Sequence, residues 1–156
     1  DFKINLNFKH IINKCSLTNE KREQTWINSL IKDSYINLFN KGFAKCIQCS
    51  NEGNIIGGLY GVKIGKCFFG ESMFSEEKNV SKFCLLILIS ILKKNKFTLL
   101  DSQFLNPHLI QFGGYEIDKD QYEIILNKNI NKKANFPITY NHQECLSILH
   151  SLSHKS

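Results

Sequence analysis

Two polar side chains one residue apart, Asp101 and Gln103, interrupt an otherwise apolar segment of the chain. We predict a strand over residues 97–104, and alternate residues of a strand share a face, so the carboxylate and the amide should lie side by side. Such groups do not face a dry core unless they are hydrogen-bonded. We expect the Gln103 amide nitrogen to donate to Asp101, which orients the Gln103 carbonyl oxygen as an acceptor for an incoming donor. The alternative is a buried, satisfied network at the strand end.

A second candidate group is Glu71, the sole acid in the apolar stretch 67–74. A carboxylate in this setting needs a partner or an aqueous cleft, so it either forms a structural ion pair or binds an amine at a pocket. The two strands predicted around it contain glycines, which weaken a strand. These are Gly57, Gly58, Gly61 and Gly70. They predict close approach by a ligand or another backbone, and the alternative is bulges and crowded helix packing.

The five histidines and six cysteines show weaker patterns. The histidines lack metal-ligand spacing, and His108 is interpreted as a loop or cap residue, with a role in the site as the alternative. Cys46 and Cys49 form a C-x-x-C pair inside a predicted strand, and no second pair completes a zinc site. We therefore expect free thiols in a reducing compartment and no metal.

Hydrophobic patterning predicts the elements that must position these residues. They are helices at 7–12 and 28–40, strands at 43–49, 55–64 and 67–74, a core helix at 79–95, strands at 97–104 and 115–117, a helix at 118–127 and an amphipathic helix near 145–152. Short turns make the first three strands an antiparallel meander, whereas the strand after the core helix should lie parallel to a neighbour. This order predicts an α+β fold with a mixed, mostly antiparallel sheet, and it resembles the acetyltransferase-like (GNAT-like) fold.

Composition and charge limit the class of protein. The chain has 156 residues, of which 42% are hydrophobic, which suits one globular domain and excludes a disordered tail or a coiled coil. Its longest apolar run, residues 83–92, is too short to span a bilayer. The formal charge is +6, and residues 1–50 carry eight Lys/Arg against four Asp/Glu. This surplus is compatible with an anionic partner such as RNA, and the alternative is a solvated lysine-rich surface.

Several segments together resemble the leucyl/phenylalanyl-tRNA–protein transferase family. The most specific is Gly-Glu-Ser-Met-Phe-Ser at residues 70–75, and another is Leu-Asp-Ser-Gln at 100–103. The others are Thr-Trp-Ile at 25–27, Gly-Gly-Leu-Tyr-Gly-Val at 57–62, Ser-Lys at 81–82, His-Leu at 108–109 and Phe-Gly-Gly-Tyr-Glu-Ile at 112–117. The resemblance implies an acetyltransferase-like aminoacyl transferase domain at 1–127. Residues 128–156 are then expected to form a partly helical extension that packs on it.

The family transfers an amino acid, usually leucine or phenylalanine, from aminoacyl-tRNA to the α-amine of a protein. The resemblance therefore implies aminoacyl-tRNA as co-substrate, no cofactor, and acceptor proteins or peptides that begin with Lys or Arg. The product carries an N-degron and is directed to protein degradation. We also expect a cytoplasmic monomer without membrane association.

The resemblance also implies roles for individual residues. Asp101 and Gln103 match the pair implicated in catalysis, and Glu71 matches the acid that contacts an amino group. The transferred side chain would be bound among Leu59, Phe68 and Met73, with Ser102 nearby.

The chain departs from the family pattern in two ways. Leu59 and Ser102 stand where many members have Met and Cys, so the transferred amino acid stays open. Members usually have an amino-terminal domain that precedes this region, so we expect either a fragment or a shortened form. The rival functions are a non-catalytic module that binds tRNA or protein N-termini, and an acyl-CoA-dependent N-acetyltransferase. The turn at 75–79 disfavours the latter, because it has two acids and lacks pyrophosphate-binding glycines.

Overall fold

A computed structural model describes residues 1–18 and 24–141, together with Gln143 and Ser147. The elements, in chain order, are β1 (Phe2–Ile4), α1 (Phe8–Cys15), α2 (Ser29–Asn40), β2 (Ala44–Asn51), β3 (Asn54–Ile64), β4 (Cys67–Ser75), α3 (Val80–Lys94), β5 (Leu99–Asp101), α4 (Pro107–Ile110) and α5 (Lys119–Asn129). The α+β class is confirmed, because one mixed sheet has helices packed on both of its faces. The helix predicted near 145–152 lies outside the described residues, apart from Ser147.

The strands form one sheet in the order β1-β2-β3-β4-β5. Its neighbours are antiparallel except β4 and β5, which are parallel, so the predicted meander and the predicted parallel strand are both confirmed. The sequence patterns did not indicate β1, because three residues are too few to show an alternation.

Two predicted strands are wrong in part or in full. The strand predicted at 97–104 ends at Asp101, because the next residue but one, Gln103, has a left-handed backbone (φ 62) that cannot continue a strand. Residues 115–117 form a loop rather than a brief strand. That loop leads directly into Asp118, whose side chain caps α5 by accepting from the backbone N–H of Gln121 at 2.8 Å.

The central helix α3 packs across one face of the sheet and contributes half of the buried residues of the larger core. Its basic last turn, Lys93 and Lys94, suits the negative end of the helix dipole. Asn79 precedes the helix with a left-handed backbone (φ 69), and its side chain makes no capping hydrogen bond. No described helix has the length and hydropathy that crossing a membrane would require.

The C-x-x-C pair is divided between the two faces of the sheet. Cys46 belongs to the core under α1 and α2, whereas Cys49 belongs to the core under α3. Residues three apart in a strand point in opposite directions, so the two thiols cannot converge on one ion. The Cys49 Sγ instead lies 2.9 Å from the Sγ of Cys84 on α3, and both residues are buried.

The segment after α5 returns to the core beside α3. Phe136 is buried and stacks on Phe68 of β4, with ring centroids 5.5 Å apart. Further on, the hydroxyl of Tyr140 lies 2.9 Å from the Ser90 hydroxyl in the middle of α3. The described part of the segment is therefore packed against the fold rather than projecting from it.

We expect Phe136→Ala to lower the free energy of unfolding by about 3–5 kcal/mol, because it leaves a cavity against Phe68. Chemical denaturation of the full chain measures this change. Ile138→Ala is the matched control, since Ile138 is 79% exposed, and it should stay within about 0.5 kcal/mol of the parent chain. Equal effects of the two substitutions would contradict the packing of this segment.

Candidate functional site

The site lies where β4 and β5 separate. Their parallel pairing covers three residues of each strand and ends at Phe69 opposite Asp101. Within the described chain, β4 then continues from Gly70 to Ser75 with no strand on that side, because β5 has ended. A cavity of about 1180 Å³ opens at this separation, and the side chains of both strands, α3, α4 and α5 line it.

Asp101 ends β5 at the edge of the cavity, and each oxygen of its carboxylate accepts a hydrogen bond. Oδ1 accepts from the backbone N–H of Gln103 at 2.8 Å, and Oδ2 accepts from the Tyr122 hydroxyl at 2.7 Å. The first bond closes a tight turn immediately after the strand. The second bond connects the carboxylate to α5, an element far from β5 in the sequence.

Gln103 lines the same cavity, but its backbone lies in a turn and not on the predicted strand. The side-by-side placement on one strand face is wrong, because the chain turns at Asp101 and Gln103 is left-handed. The group that donates to Asp101 is the backbone N–H rather than the side-chain amide. The exposed Gln103 side chain is therefore carried by a turn rather than by a strand.

Glu71 also lines the cavity, and its place depends on an irregularity in β4. The register with β3 shifts so that Gly70 and Ser72 pair with consecutive residues, which leaves Glu71 as the extra residue of a bulge. The hydroxyl of Tyr35 on α2 is close enough to stabilise the Glu71 carboxylate. The predicted need for a partner is thus met by a tyrosine.

The ionised form of Glu71 is disfavoured in the folded protein. Burial raises the pKa of the Glu71 carboxyl, the Tyr35 hydrogen bond lowers it in part, and the nearby negative charge of Asp101 raises it further. Burial and the same carboxylate raise the pKa of Tyr35, which keeps its hydroxyl protonated as a donor. Two carboxylates in one cavity repel each other, so a cation between them would be stabilised.

The predicted apolar pocket is only partly assembled. Leu59, Met73 and Ser102 line the cavity, whereas Phe68 does not. Phe68 is fully buried, because its ring is enclosed between the sheet and Phe136 on the α3 side of the molecule. Leucines of α3, Leu85 among them, contribute apolar wall instead, which only the packing of α3 on the sheet brings to the site.

The strand glycines divide between the two alternatives. At Gly57 a Cβ atom would lie 2.4 Å from the Val80 side chain, and at Gly61 it would lie 2.3 Å from the Phe69 carbonyl oxygen. Gly58 is similarly crowded by Ile11, so Gly57 and Gly58 fit the helix-packing alternative, whereas Gly61 fits close approach by another backbone. Gly70 is different, since it lines the cavity and its nearest neighbour would be 3.5 Å away.

Two residues that line the cavity each have a buried polar atom without a hydrogen-bond partner among the described residues. These atoms are the Tyr60 hydroxyl and Nε2 of His108. His108 is on α4 with its ring edge-on to Phe112, and desolvation, with a smaller effect of Lys82, lowers its pKa so that the ring favours the neutral form. Both residues line the cavity, and a role of His108 in the site stays a prediction.

The sequence patterns did not single out the two tyrosines that hold the carboxylates. Tyr35 lies on the apolar stripe of the helix predicted at 28–40, and Tyr122 stands in a mostly polar helix without a motif. A tyrosine on a helix is normally interpreted as packing, because its hydroxyl partner is decided by tertiary contacts.

The fold is shared with known acetyltransferases. A predicted acetyltransferase from Clostridium acetobutylicum, crystallised with acetyl-CoA, superposes with a TM-score of 0.55 at 14% identity, covering 76% of this chain and 92% of that one. The PaiA N-acetyltransferase from Thermoplasma acidophilum, in complex with coenzyme A, gives a TM-score of 0.52 at 14% identity over 76% and 91% of the two chains. The acetyltransferase-like fold expected from the sequence is confirmed.

The family is defined by sequence. The profile of the leucyl/phenylalanyl-tRNA protein transferase family matches residues 1–127, and the chain belongs to that family. Curated relatives named leucyl/phenylalanyl-tRNA–protein transferase include one from Rhizorhabdus wittichii (42% identical, covering 77% of this chain and 48% of the relative). Another, from Akkermansia muciniphila, is 38% identical over 81% of this chain and 65% of the relative. The chain thus spans about half to two thirds of the length of these relatives.

The charge cost of Glu71 predicts a pH-dependent effect on stability. A carboxyl whose pKa is raised by folding destabilises the folded state above that pKa, and the effect disappears below the unfolded value of about 4.3. Glu71→Gln should therefore raise the thermal midpoint by a few degrees near pH 7 and leave it unchanged near pH 4. Glu52→Gln, in an exposed turn, is the control and should change neither. An unchanged or lower midpoint for Glu71→Gln near pH 7 would contradict the cost.

Proposed function

We propose that this chain transfers leucine or phenylalanine from aminoacyl-tRNA to the N-terminal α-amine of acceptor proteins. The observation that carries the proposal is the shared cavity of Asp101, Gln103 and Glu71, in a chain that belongs to a transferase family. The acceptors begin with Lys or Arg, and the product is an N-degron that directs the protein to degradation. The chain acts as a cytoplasmic monomer, with the activity in residues 1–127 and residues 128–156 as an extension packed on them.

The reaction is aminolysis of an activated ester. The acceptor amine attacks the aminoacyl carbonyl carbon, a C–N bond forms, the ester C–O bond breaks, and the tRNA hydroxyl leaves with a proton. An α-amine has a pKa of about 7.7–8.0, so a useful fraction is neutral near pH 7 and no strong base is needed. What the site must supply is orientation of the amine and a path for its proton.

Gln103 and Asp101 are assigned those two tasks. The Gln103 carbonyl oxygen accepts from an amine N–H and aligns the nitrogen for attack. Asp101 receives the proton or stabilises the positive charge on the nitrogen as the bond forms. A carboxylate has about four lone-pair positions, and the bonds to Gln103 and Tyr122 use two of them, so acceptor capacity is left for the amine.

Glu71 is assigned to the ammonium group of the aminoacyl donor. Its bulge position lets it line the cavity while Tyr35 holds its carboxylate, and an incoming cation would offset the cost of its charge. The donor side chain would then lie along the apolar wall that includes Leu59 and Met73. Ser102 adds a polar group to that wall. The identity of the transferred amino acid is therefore a property to test.

Acyl-CoA is a poorer donor for this site, although the fold is that of acetyltransferases. The turn between β4 and α3 carries Glu76 and Glu77 at the start of the helix, where a bound pyrophosphate would be repelled. Glu76 forms a salt bridge with Lys14 of α1. Lys14 is therefore already paired with an acid.

A second candidate function is a module that binds tRNA or protein N-termini without turnover. The activity in the names of the curated relatives belongs to whole proteins, of whose length the chain spans about half to two thirds. Mass spectrometry of an acceptor-peptide panel incubated with the full chain and a mixed aminoacyl-tRNA pool separates the two. Peptides that gain one amino acid support the transferase, and peptides or tRNA that bind without any mass change support the module.

Gln103→Ala should lower kcat/KM for transfer by about 100-fold or more, because it removes the group that aligns the amine. Binding of tRNA, measured by filter retention, should be unchanged. Gln111→Ala is the matched control, since this exposed glutamine follows α4 outside the cavity lining, and its activity should equal that of the parent chain. Loss of transfer and tRNA binding together in Gln103→Ala would reject the assigned role.

A further inference from the structure

Tyr122 connects the candidate catalytic residues to the helix behind them. Its hydroxyl donates to Asp101 Oδ2 at 2.7 Å, the short distance typical of a charge-assisted hydrogen bond. The ring lines the same cavity as Gln103. The helix that carries it, α5, starts at Asp118, whose side-chain cap anchors the first turn, where Tyr122 lies.

The orientation of the Asp101 carboxylate depends on its partners. The torsion that turns a carboxylate plane is broad and has no sharply preferred value, so the side chain alone does not fix it. Here Oδ1 is held by the Gln103 N–H and Oδ2 by the Tyr122 hydroxyl. Removing either donor frees the plane to rotate about the other bond.

The same carboxylate maintains the backbone of Gln103. A left-handed conformation (φ 62) is unfavourable for a residue with a side chain, because Cβ crowds the backbone. The hydrogen bond from the Gln103 N–H to Asp101 offsets that cost and keeps the turn closed. A loosened carboxylate would therefore loosen the turn that carries the Gln103 side chain.

We propose that Tyr122 is a positioning residue for aminoacyl transfer: its hydroxyl fixes the Asp101 carboxylate and thereby the turn that presents Gln103 to the cavity. The inference rests on the proposed function, and Tyr122 acts through Asp101 rather than on the substrate. Burial, together with the Asp101 carboxylate, raises the pKa of Tyr122 to about 12, so its hydroxyl stays protonated and donates throughout the neutral range.

Tyr122→Phe removes only the hydroxyl, and we expect kcat for transfer to fall about tenfold with KM for aminoacyl-tRNA unchanged. Tyr140→Phe is the matched control, because it removes a hydroxyl that lies 2.9 Å from Ser90, outside the cavity lining. Its kcat should equal that of the parent chain. An unchanged kcat in Tyr122→Phe, or an equal loss in both variants, would overturn the proposal.

The backbone amide signal of Gln103 in a ¹⁵N-labelled full chain gives a readout that does not depend on turnover. It should move in Tyr122→Phe and stay in place in Tyr140→Phe, since only the first loosens the bond to Asp101. A loss of kcat with an unmoved Gln103 amide would also overturn the proposal. If the parent chain transfers nothing, the proposed function fails on its own, and the amide signal still decides whether Tyr122 controls the turn.

Discussion

The limited pairing of β4 with β5 is the constraint on which the site depends. The crossover through α3 brings β5 beside β4 in parallel, and the two strands stay together for only three residues. Beyond Asp101 the chain turns away while β4 runs on, which leaves a gap that the helices line but do not fill. A longer β5 would close this gap with backbone hydrogen bonds, so the early end of the strand creates the cavity.

The two sides of the gap share one arrangement, a carboxylate beside a tyrosine hydroxyl. Each places a carboxylate at the cavity, Glu71 on β4 and Asp101 on β5, and burial and the charge of Asp101 raise the pKa of Glu71. Each carboxylate is stabilised by a tyrosine hydroxyl on a helix: Asp101 accepts from Tyr122 of α5, and Tyr35 of α2 lowers the pKa of Glu71 in part. A neutral donor partly replaces water without cancelling the charge, so the cavity retains an attraction for an ammonium group.

Local patterns predicted most of the frame, and they failed where a single backbone angle or a long-range contact decided the outcome. The meander, the core helix and the parallel strand follow from hydrophobic periodicity and turn residues, which act over a few positions. The left-handed Gln103 is not visible in such patterns, so a continuous strand was predicted to 104. The family resemblance predicts Phe68 at the pocket. In the structure its ring is enclosed in the core by Phe136, which lies 68 residues away in the sequence.

The sequence by itself determined the α+β layout, the family, and the identity of Asp101, Gln103 and Glu71 as candidate groups, because these depend on residue types and their spacing. The tertiary structure decided how those groups meet. A bulge places Glu71, and a turn carries Gln103. Tyr35 and Tyr122 contact the carboxylates from helices that lie elsewhere in the chain. Contacts between residues distant in the sequence do not appear in the hydrophobic periodicity, because a tyrosine on any helix can make them. Only the packing of α2 and α5 around the separated strands selects these two.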